Sequence, residues 1–155
     1  MLKYDLIRVD DRLIHGQILL KWMKVLKVKR VAVLSDELNM DPIMKAILAK
    51  TVPEKIQLDI WGVRTGIERM YEESGKALIL LQDIHSLFQL FQNGIQLKHV
   101  SISRLPCEAG KEKIHEQMFV SKEERKELGV LLNHGVDIQI QMVPDSESIR
   151  LRDIL

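Results

Sequence analysis

The segment RVDDRLIHGQ, residues 8–17, concentrates polar chemistry at one point of the chain. It follows a short apolar stretch and precedes a long amphipathic one, so the pattern predicts a connection between a strand and a helix. The ten residues include two arginines, two adjacent aspartates and a histidine followed by glycine. A plain connection does not need that much charge, and the composition therefore favours a ligand site on this loop.

The residue types in this loop fit the handling of a phosphoryl group. A helix start offers unpaired backbone N–H groups and the positive end of the helix dipole, which suit an anion. Gly16 lets a bulky ligand approach the backbone, and Arg12 can add a bidentate clamp. His15 is the nucleophile of the loop, and its neutral imidazole can attack phosphorus. These features predict a histidine that receives and donates a phosphoryl group without a metal, with a helix-capping or packing histidine as the alternative.

The two aspartates have two roles open to them. Asp10 or Asp11 could accept a ring N–H and fix the imidazole tautomer, or could hold Arg12 in place. A pair of aspartates after a strand is also common as a plain solvated turn.

The rest of the chain alternates strand and helix patterns. Five short runs rich in β-branched residues predict strands at 4–9, 30–35, 56–61, 77–82 and 99–103. Helical spacing separates them, with Asp41–Pro42 and Asp83 as helix starts and Asn93–Gly94 as a helix end. Ser35–Asp36 and Gln82–Asp83 follow strands two and four, so we expect them to border one cleft. Alternation of this kind predicts right-handed βαβ units and a largely parallel sheet.

The pattern changes after residue 103. We expect a strand near 115–120, a helix that begins with a capping box at Ser121 and ends at Gly135, an alternating strand over 136–143, and a last short helix. The predicted fold is α/β, an open, mostly parallel sheet with helices on both faces and one or two extra strands near the C-terminus. Without repeats or a linker, residues 1–155 are expected to form a single domain.

The composition excludes several classes of function. The chain has 155 residues, 46% of them apolar, as in an ordinary globular protein. Its formal net charge is only +1, so no strong electrostatic potential of the whole chain attracts it to nucleic acid. One cysteine, Cys107, allows neither an internal disulfide nor a CxxC metal site. No glycine-rich nucleotide fingerprint is present, and we expect no cofactor and no metal. The start of the chain lacks the pattern of a secretory signal, which favours a cytoplasmic location.

Residues 8–24, RVDDRLIHGQILLKWMK, resemble the phosphorylation loop of the IIB subunits of the mannose/fructose/sorbose family of the sugar phosphotransferase system. The family pattern is close to R-I-D-D-R-L-I-H-G-Q-V, and this chain differs from it by exchanges between aliphatic residues. Residues 31–48 and 93–146 also resemble the family's second βα unit and its C-terminal third. The resemblance therefore covers nearly the whole chain.

The resemblance implies a role for each matching loop residue. His15 would accept a phosphoryl group from a phospho-IIA partner and pass it to a sugar held by the membrane subunits IIC and IID. Arg12 would lie near the phosphoryl group, and Asp10, Gly16 and Gln17 would shape the site. Family members commonly self-associate, so a homodimer is expected, associated with the membrane complex from the cytoplasm.

The sequence departs from the family pattern after the fifth strand. Many relatives have a glycine-rich turn there, whereas this chain has ISRLP at 102–106, with Ser103 and Arg104 in place of two small residues. Arg104 could add a second cation to the pocket, or could face IIA or IIC.

Three other functions remain as alternatives. A histidine phosphatase would place arginine directly before the histidine, but Ile14 stands there. A receiver-like domain would use Asp10 and Asp11 to hold magnesium and an aspartate after strand three as acceptor, but Asp59 falls inside a strand. A pure interaction module would leave the loop chemically inert.

Overall fold

The computed structural model describes residues 3–14 and 16–155, and gives the backbone alone for residues 3, 5 and 16–18. Its strands are β1 (Lys3–Asp10), β2 (Arg30–Leu34), β3 (Gln57–Trp61), β4 (Lys76–Leu81), β5 (His99–Arg104), β6 (Glu112–His115), β7 (Met118–Val120), β8 (Asp137–Ile140) and β9 (Ile149–Arg150). Its helices are α1 (Gly16–Leu26), α2 (Asp36–Asn39), α3 (Pro42–Thr51), α4 (Val63–Glu72), α5 (Ile84–Gln92) and α6 (Lys122–Asn133). A 3₁₀ turn, Leu151–Asp153, follows β9.

Seven strands form one sheet in the order β3-β2-β4-β1-β5-β8-β9. All neighbours from β3 to β8 are parallel, and β9 pairs with β8 in the antiparallel direction. β1 and β5 are neighbours in the sheet. After β1 the chain continues to β2, on the β3 side of this pair, and after β5 it continues to β8, on the β9 side. Adjacent strands whose connections diverge open a crevice at their carboxyl ends, which is where ligands bind in open α/β sheets. Here those ends carry Asp10 and Arg104.

Apolar cores cover both faces of the sheet, as expected for a parallel sheet. On one face, α4, α5 and α6 pack against alternate strand residues such as Ile7, Ile79 and Ile102, all fully buried. On the other face, α1 packs Leu19, Trp22 and Met23 against the opposite set of strand residues. The predicted α/β fold is therefore confirmed.

The predicted helix starts are also present. Asp41, Asp83 and Ser121 each accept a hydrogen bond from a backbone N–H in the first turn of their helix. Ser121 and Glu124 form the complete capping box expected at the start of α6. Such caps satisfy backbone donors that a helix leaves unpaired at its start.

The C-terminal third differs in detail from the prediction. The segment expected as one strand near 115–120 is the turn and second strand of the β6–β7 hairpin. The strand expected over 136–143 ends at Ile140, because Gln141 donates to the carbonyl oxygens of Pro144 and Ser146 and folds the chain into a loop. The short helix α2 was not predicted, and Ser35 caps it. Among the described residues, no helix has the length and apolar character to cross a membrane.

Candidate phosphoryl-transfer site

Asp10 and Arg12 form an ion pair within the loop. Asp10, the last residue of β1, accepts hydrogen bonds from the Arg12 backbone N–H at 2.9 Å and from Arg12 Nε at 3.0 Å. Its second oxygen accepts from Arg12 Nη2, also at 3.0 Å. This bidentate pair fixes the guanidinium at the mouth of the loop. Holding Arg12, one of the two roles open to the aspartates, is performed by Asp10.

The end of β5 reinforces this contact. Ser103 is buried, and its hydroxyl donates to Asp10 Oδ2. Burial alone would raise the pKa of the Asp10 carboxyl, but the hydrogen bonds from Arg12 and Ser103 outweigh burial and lower it. The hydrogen bond to Asp10 is the principal cause of a raised pKa of Arg12. Asp10 is therefore a carboxylate, and Arg12 a full cation, at neutral pH.

Arg104 pairs with the second aspartate. Its Nε lies 3.3 Å from Asp11 Oδ1, and the Asp11 backbone N–H donates to the Arg104 carbonyl oxygen. Burial raises the pKa of the Asp11 carboxyl, although the charge of Arg104 acts in the opposite direction. The two residues that depart from the family pattern, Ser103 and Arg104, thus each contact one of the two loop aspartates.

The backbone of the loop forms a tight turn. The Leu13 N–H donates to the Asp10 carbonyl oxygen at 2.9 Å, and Leu13 has a φ of 55°. A non-glycine residue in the left-handed region is uncommon and costs energy, so the surrounding contacts must hold it. Gly16 is the first residue of α1, so the loop leads directly into a helix as predicted. His15 and the side chain of Gln17 lie outside the described residues.

Arg8 lies beneath the loop in the middle of β1 and was not assigned a role by sequence reasoning. The residue is only 3% exposed. Its nearest partners are the Ser101 hydroxyl, the carbonyl oxygens of Gln141 and Met142, and the ring of Trp22. Burial lowers the pKa of its guanidinium to about 10, which still leaves it protonated at neutral pH. An arginine inside an otherwise apolar strand pattern was the signal that could have found it.

A cleft of about 470 Å³ opens beside Asp11 at the carboxyl edge of the sheet. Its walls include the predicted pairs Ser35–Asp36 and Gln82–Asp83, so the expectation that they border one cleft is confirmed. Ser35 donates to Gln82 Oε1 at 2.8 Å and ties the ends of β2 and β4 together. Several further carboxylates line the cleft and give it an acidic character that contrasts with the arginines at the loop.

Three of the other histidines make contacts away from the loop. His85 pairs with Glu127 and His99 with Asp137, while His134 caps the end of α6. No cluster of metal-binding side chains occurs within residues 3–14 and 16–155.

Comparison with known proteins points to one family. A family model described as "PTS system sorbose subfamily IIB component" matches residues 4–155. The fructose-specific EIIB component of Bacillus subtilis is 26% identical over 151 residues, covering 96% of this chain and 93% of that protein. The mannose-specific EIIAB component of Escherichia coli is 24% identical over 154 residues, which cover 97% of this chain and 47% of that longer protein. The crystal structure of manxB from Thermoanaerobacter tengcongensis matches with a TM-score of 0.89 and 29% identity, over 98% of this chain and 94% of that one.

Proposed function

The chain belongs to the sorbose-subfamily IIB components of the phosphotransferase system, and from that membership we propose that His15 carries the phosphoryl group. Components of this family act in phosphoryl transfer during sugar uptake. The proposal specifies the residue and the covalent intermediate, a phosphohistidine on the loop between β1 and α1.

One observation carries the proposal. Arg12, three residues before His15, is fixed by Asp10 through a backbone and two side-chain hydrogen bonds. Phosphoryl transfer needs mainly positioning and stabilisation of charge, and a guanidinium held in advance supplies both. The N-terminus of α1, which begins at the residue after His15, adds a second source of positive potential.

The proposed cycle has two transfers. In the first, the N–P bond of a phosphohistidine on a IIA protein breaks while a neutral ring nitrogen of His15 forms a new N–P bond. In the second, the hydroxyl oxygen of a sugar held by the membrane subunits IIC and IID attacks the phosphorus. The His15–phosphorus bond breaks, the hydroxyl proton is released, and His15 returns to its neutral state. The name of the E. coli relative joins A and B components in one chain, which supports a IIA protein as the donor.

We propose the remaining assignments on the same basis. Gly16 and Gln17 shape the phosphate site together with Asp10, and residues 1–155 act as a single IIB domain. The domain works on the cytoplasmic side of the membrane complex. A receiver-like mechanism is disfavoured because Asp59 lies within β3 and is paired with Arg30 at 2.6 Å.

Intact-mass spectrometry tests the phosphohistidine directly. The chain is incubated with phosphoenolpyruvate, the general phosphotransfer proteins and a matched IIA, and is then measured with and without acid treatment. We expect one added phosphoryl group that acid removes and that His15→Ala abolishes. His115→Ala is the control, because it removes a histidine outside the loop, one that is partly buried, and should leave labelling intact. An unlabelled wild type beside a phosphorylated IIA would refute the assignment, as would labelling that survives in His15→Ala.

A further inference from the structure

Arg8 is a buried cation that makes no direct contact with a carboxylate among the described residues. Within the part of the chain that the structure describes, no ion pair joins it to a carboxylate, although its guanidinium is almost wholly shielded from water. Its acceptors are neutral: Ser101 Oγ at 2.8 Å and the carbonyl oxygens of Gln141 and Met142, both at 3.2 Å. Burying a charge without a direct ion pair is costly, and the charge of Asp10 only partly offsets the effect of burial on the pKa of Arg8. This arrangement therefore requires an explanation.

The charges around the loop leave one positive charge in excess. Arg12 is engaged by Asp10 and Arg104 by Asp11. Arg8 is the third guanidinium of this group, and the two carboxylates are already taken. A phosphoryl group on the loop would bring a negative charge of about two into this region, since its second pKa is near 6. The single excess positive charge is uncompensated in the unphosphorylated form, and the phosphoryl group would more than offset it.

Arg8 is also connected to the loop through Met142. The Met142 carbonyl oxygen accepts from Arg8 Nη2 and from Trp22 Nε1, each at 3.2 Å. The Met142 sulfur lies 3.5 Å from Arg12 Nη2. Trp22 belongs to α1, and the Arg8 guanidinium stacks 4.4 Å from the centre of its ring. These contacts connect β1, α1 and the segment after β8 with Arg12 on the loop.

We propose that Arg8 is a positioning residue whose buried charge favours the phosphorylated form of this IIB component over the unphosphorylated form. The inference rests on the proposed function, because it takes the phosphoryl group to be on His15. Arg8 acts through the electrostatic potential at the loop. It also acts through its hydrogen bond to the Met142 carbonyl oxygen and its stacking on the Trp22 ring. A purely structural Arg8 would stabilise both forms equally and would leave the transfer equilibrium unchanged.

The test compares Arg8→Met, which removes the charge, with Arg8→Lys, which keeps it. Each variant is equilibrated with a fixed ratio of phosphorylated to free IIA, and the phosphorylated fraction is measured by intact mass. We expect Arg8→Met to lower the equilibrium constant for transfer about tenfold, the scale of a charge-assisted contact. Arg8→Lys should lie between Arg8→Met and wild type, because lysine can keep a cation there but loses its proton more readily when buried and lacks the planar donor geometry.

Arg30→Met is the matched control. Arg30 is also a mostly buried arginine on a strand, and it lies 5.7 Å from the ring of Trp61. It differs in having two carboxylate partners, Asp59 and Glu73. We expect this variant to lose stability without any change in the phosphorylated fraction.

Thermal unfolding gives a second readout, and its wild-type arm needs no variant. Phosphorylation should raise the Tm of the wild type, and the rise should be smaller in Arg8→Met. If Arg8→Met does not fold, Arg8→Gln takes its place. Equal transfer equilibria in wild type and the neutral variant would overturn the inference, and so would a wild-type Tm that phosphorylation leaves unchanged. A wild type that takes no label at all is a different result, because it refutes the proposed function.

Discussion

At the scale of single residues, charge pairing determines which polar groups are available for chemistry. Asp10 and Asp11 are adjacent in the sequence, yet each is paired with a different arginine, one from the loop and one from β5. The same principle applies away from the site at His85. Its Nδ1 lies 2.9 Å from Oε1 of Glu127, a buried carboxylate on α6 whose second oxygen has no hydrogen-bond partner among the described residues.

The pair between His85 and Glu127 makes stability depend on pH. The hydrogen bond to Glu127 raises the pKa of His85 above its ordinary 6.5, against a smaller effect of burial, and Asp83 and Glu123 add to the rise. A raised pKa in the folded state means that protonated His85 stabilises the fold. This contribution is fully present below pH 6.5 and is lost as the pH rises through the folded-state pKa.

Urea unfolding of wild type and His85→Gln from pH 5.5 to 8.5 measures this effect. We expect the wild type to exceed the variant most at the acidic end, and the difference to shrink as the pH rises. A difference that is constant or that grows with pH would contradict the ion pair.

At the scale of elements, the approach of α4 to the sheet depends on a glycine. A Cβ built on Gly66 would lie 2.3 Å from Leu34 Cγ, and Leu34 is fully buried in β2. No methyl group fits there unless the helix or the strand moves. Gly129 in α6 offers the opposite case, because a Cβ there meets nothing within 4 Å.

Substituting alanine at each glycine separates packing from helix propensity. We expect Gly66→Ala to lower the free energy of unfolding by about 1–3 kcal/mol through overpacking. Gly129→Ala should raise it by about 0.5–1 kcal/mol, since alanine is the better helix former. Chemical denaturation measures both. A neutral Gly66→Ala would show that α4 can shift away from the sheet at little cost.

At the scale of the whole molecule, α3 stands out because none of its residues is buried. Its outer side exposes Ile43, Met44 and Ile47, which are 72%, 40% and 51% accessible, and Met40, 83% accessible, precedes the helix. Residues of this type at helical spacing form an apolar face, and exposed apolar faces of this kind usually mark contact with another protein. This face is the most suitable surface of the described chain for the expected self-association.

Sedimentation velocity tests self-association through α3. We expect the wild type to form a dimer at micromolar concentrations and the double variant Ile43→Lys, Ile47→Lys to remain monomeric. Val130→Lys on α6 is the control, because it places a charge at an exposed apolar residue on the other face of the sheet. A wild type that is monomeric at every concentration would exclude α3 as a homodimer interface.

The local features of this protein could be predicted from its sequence. These features depend on residues only a few positions apart, so a short segment is enough to predict them. They are the strand and helix periods, the loop at 8–17 and the capping residues Asp41, Asp83 and Ser121. The same holds for the parallel sheet, which follows from alternating strand and helix patterns. The loop motif also sufficed to suggest the family.

Only the tertiary structure decided which groups meet. Ser103 and Arg104 lie more than ninety residues from the aspartates they contact, and Met142 is 120 residues from Trp22 and joins it to Arg8 and Arg12. The excess positive charge at Arg8 also cannot be predicted from neighbouring residues in the sequence, because it depends on which carboxylates pair with the other arginines. The sequence by itself determined the main strands and helices and the chemistry available at the loop, but not α2 or the β6–β7 hairpin. The pairing of charges around that loop was determined by the order of strands in the sheet, which brings the ends of β1, β5 and β8 together.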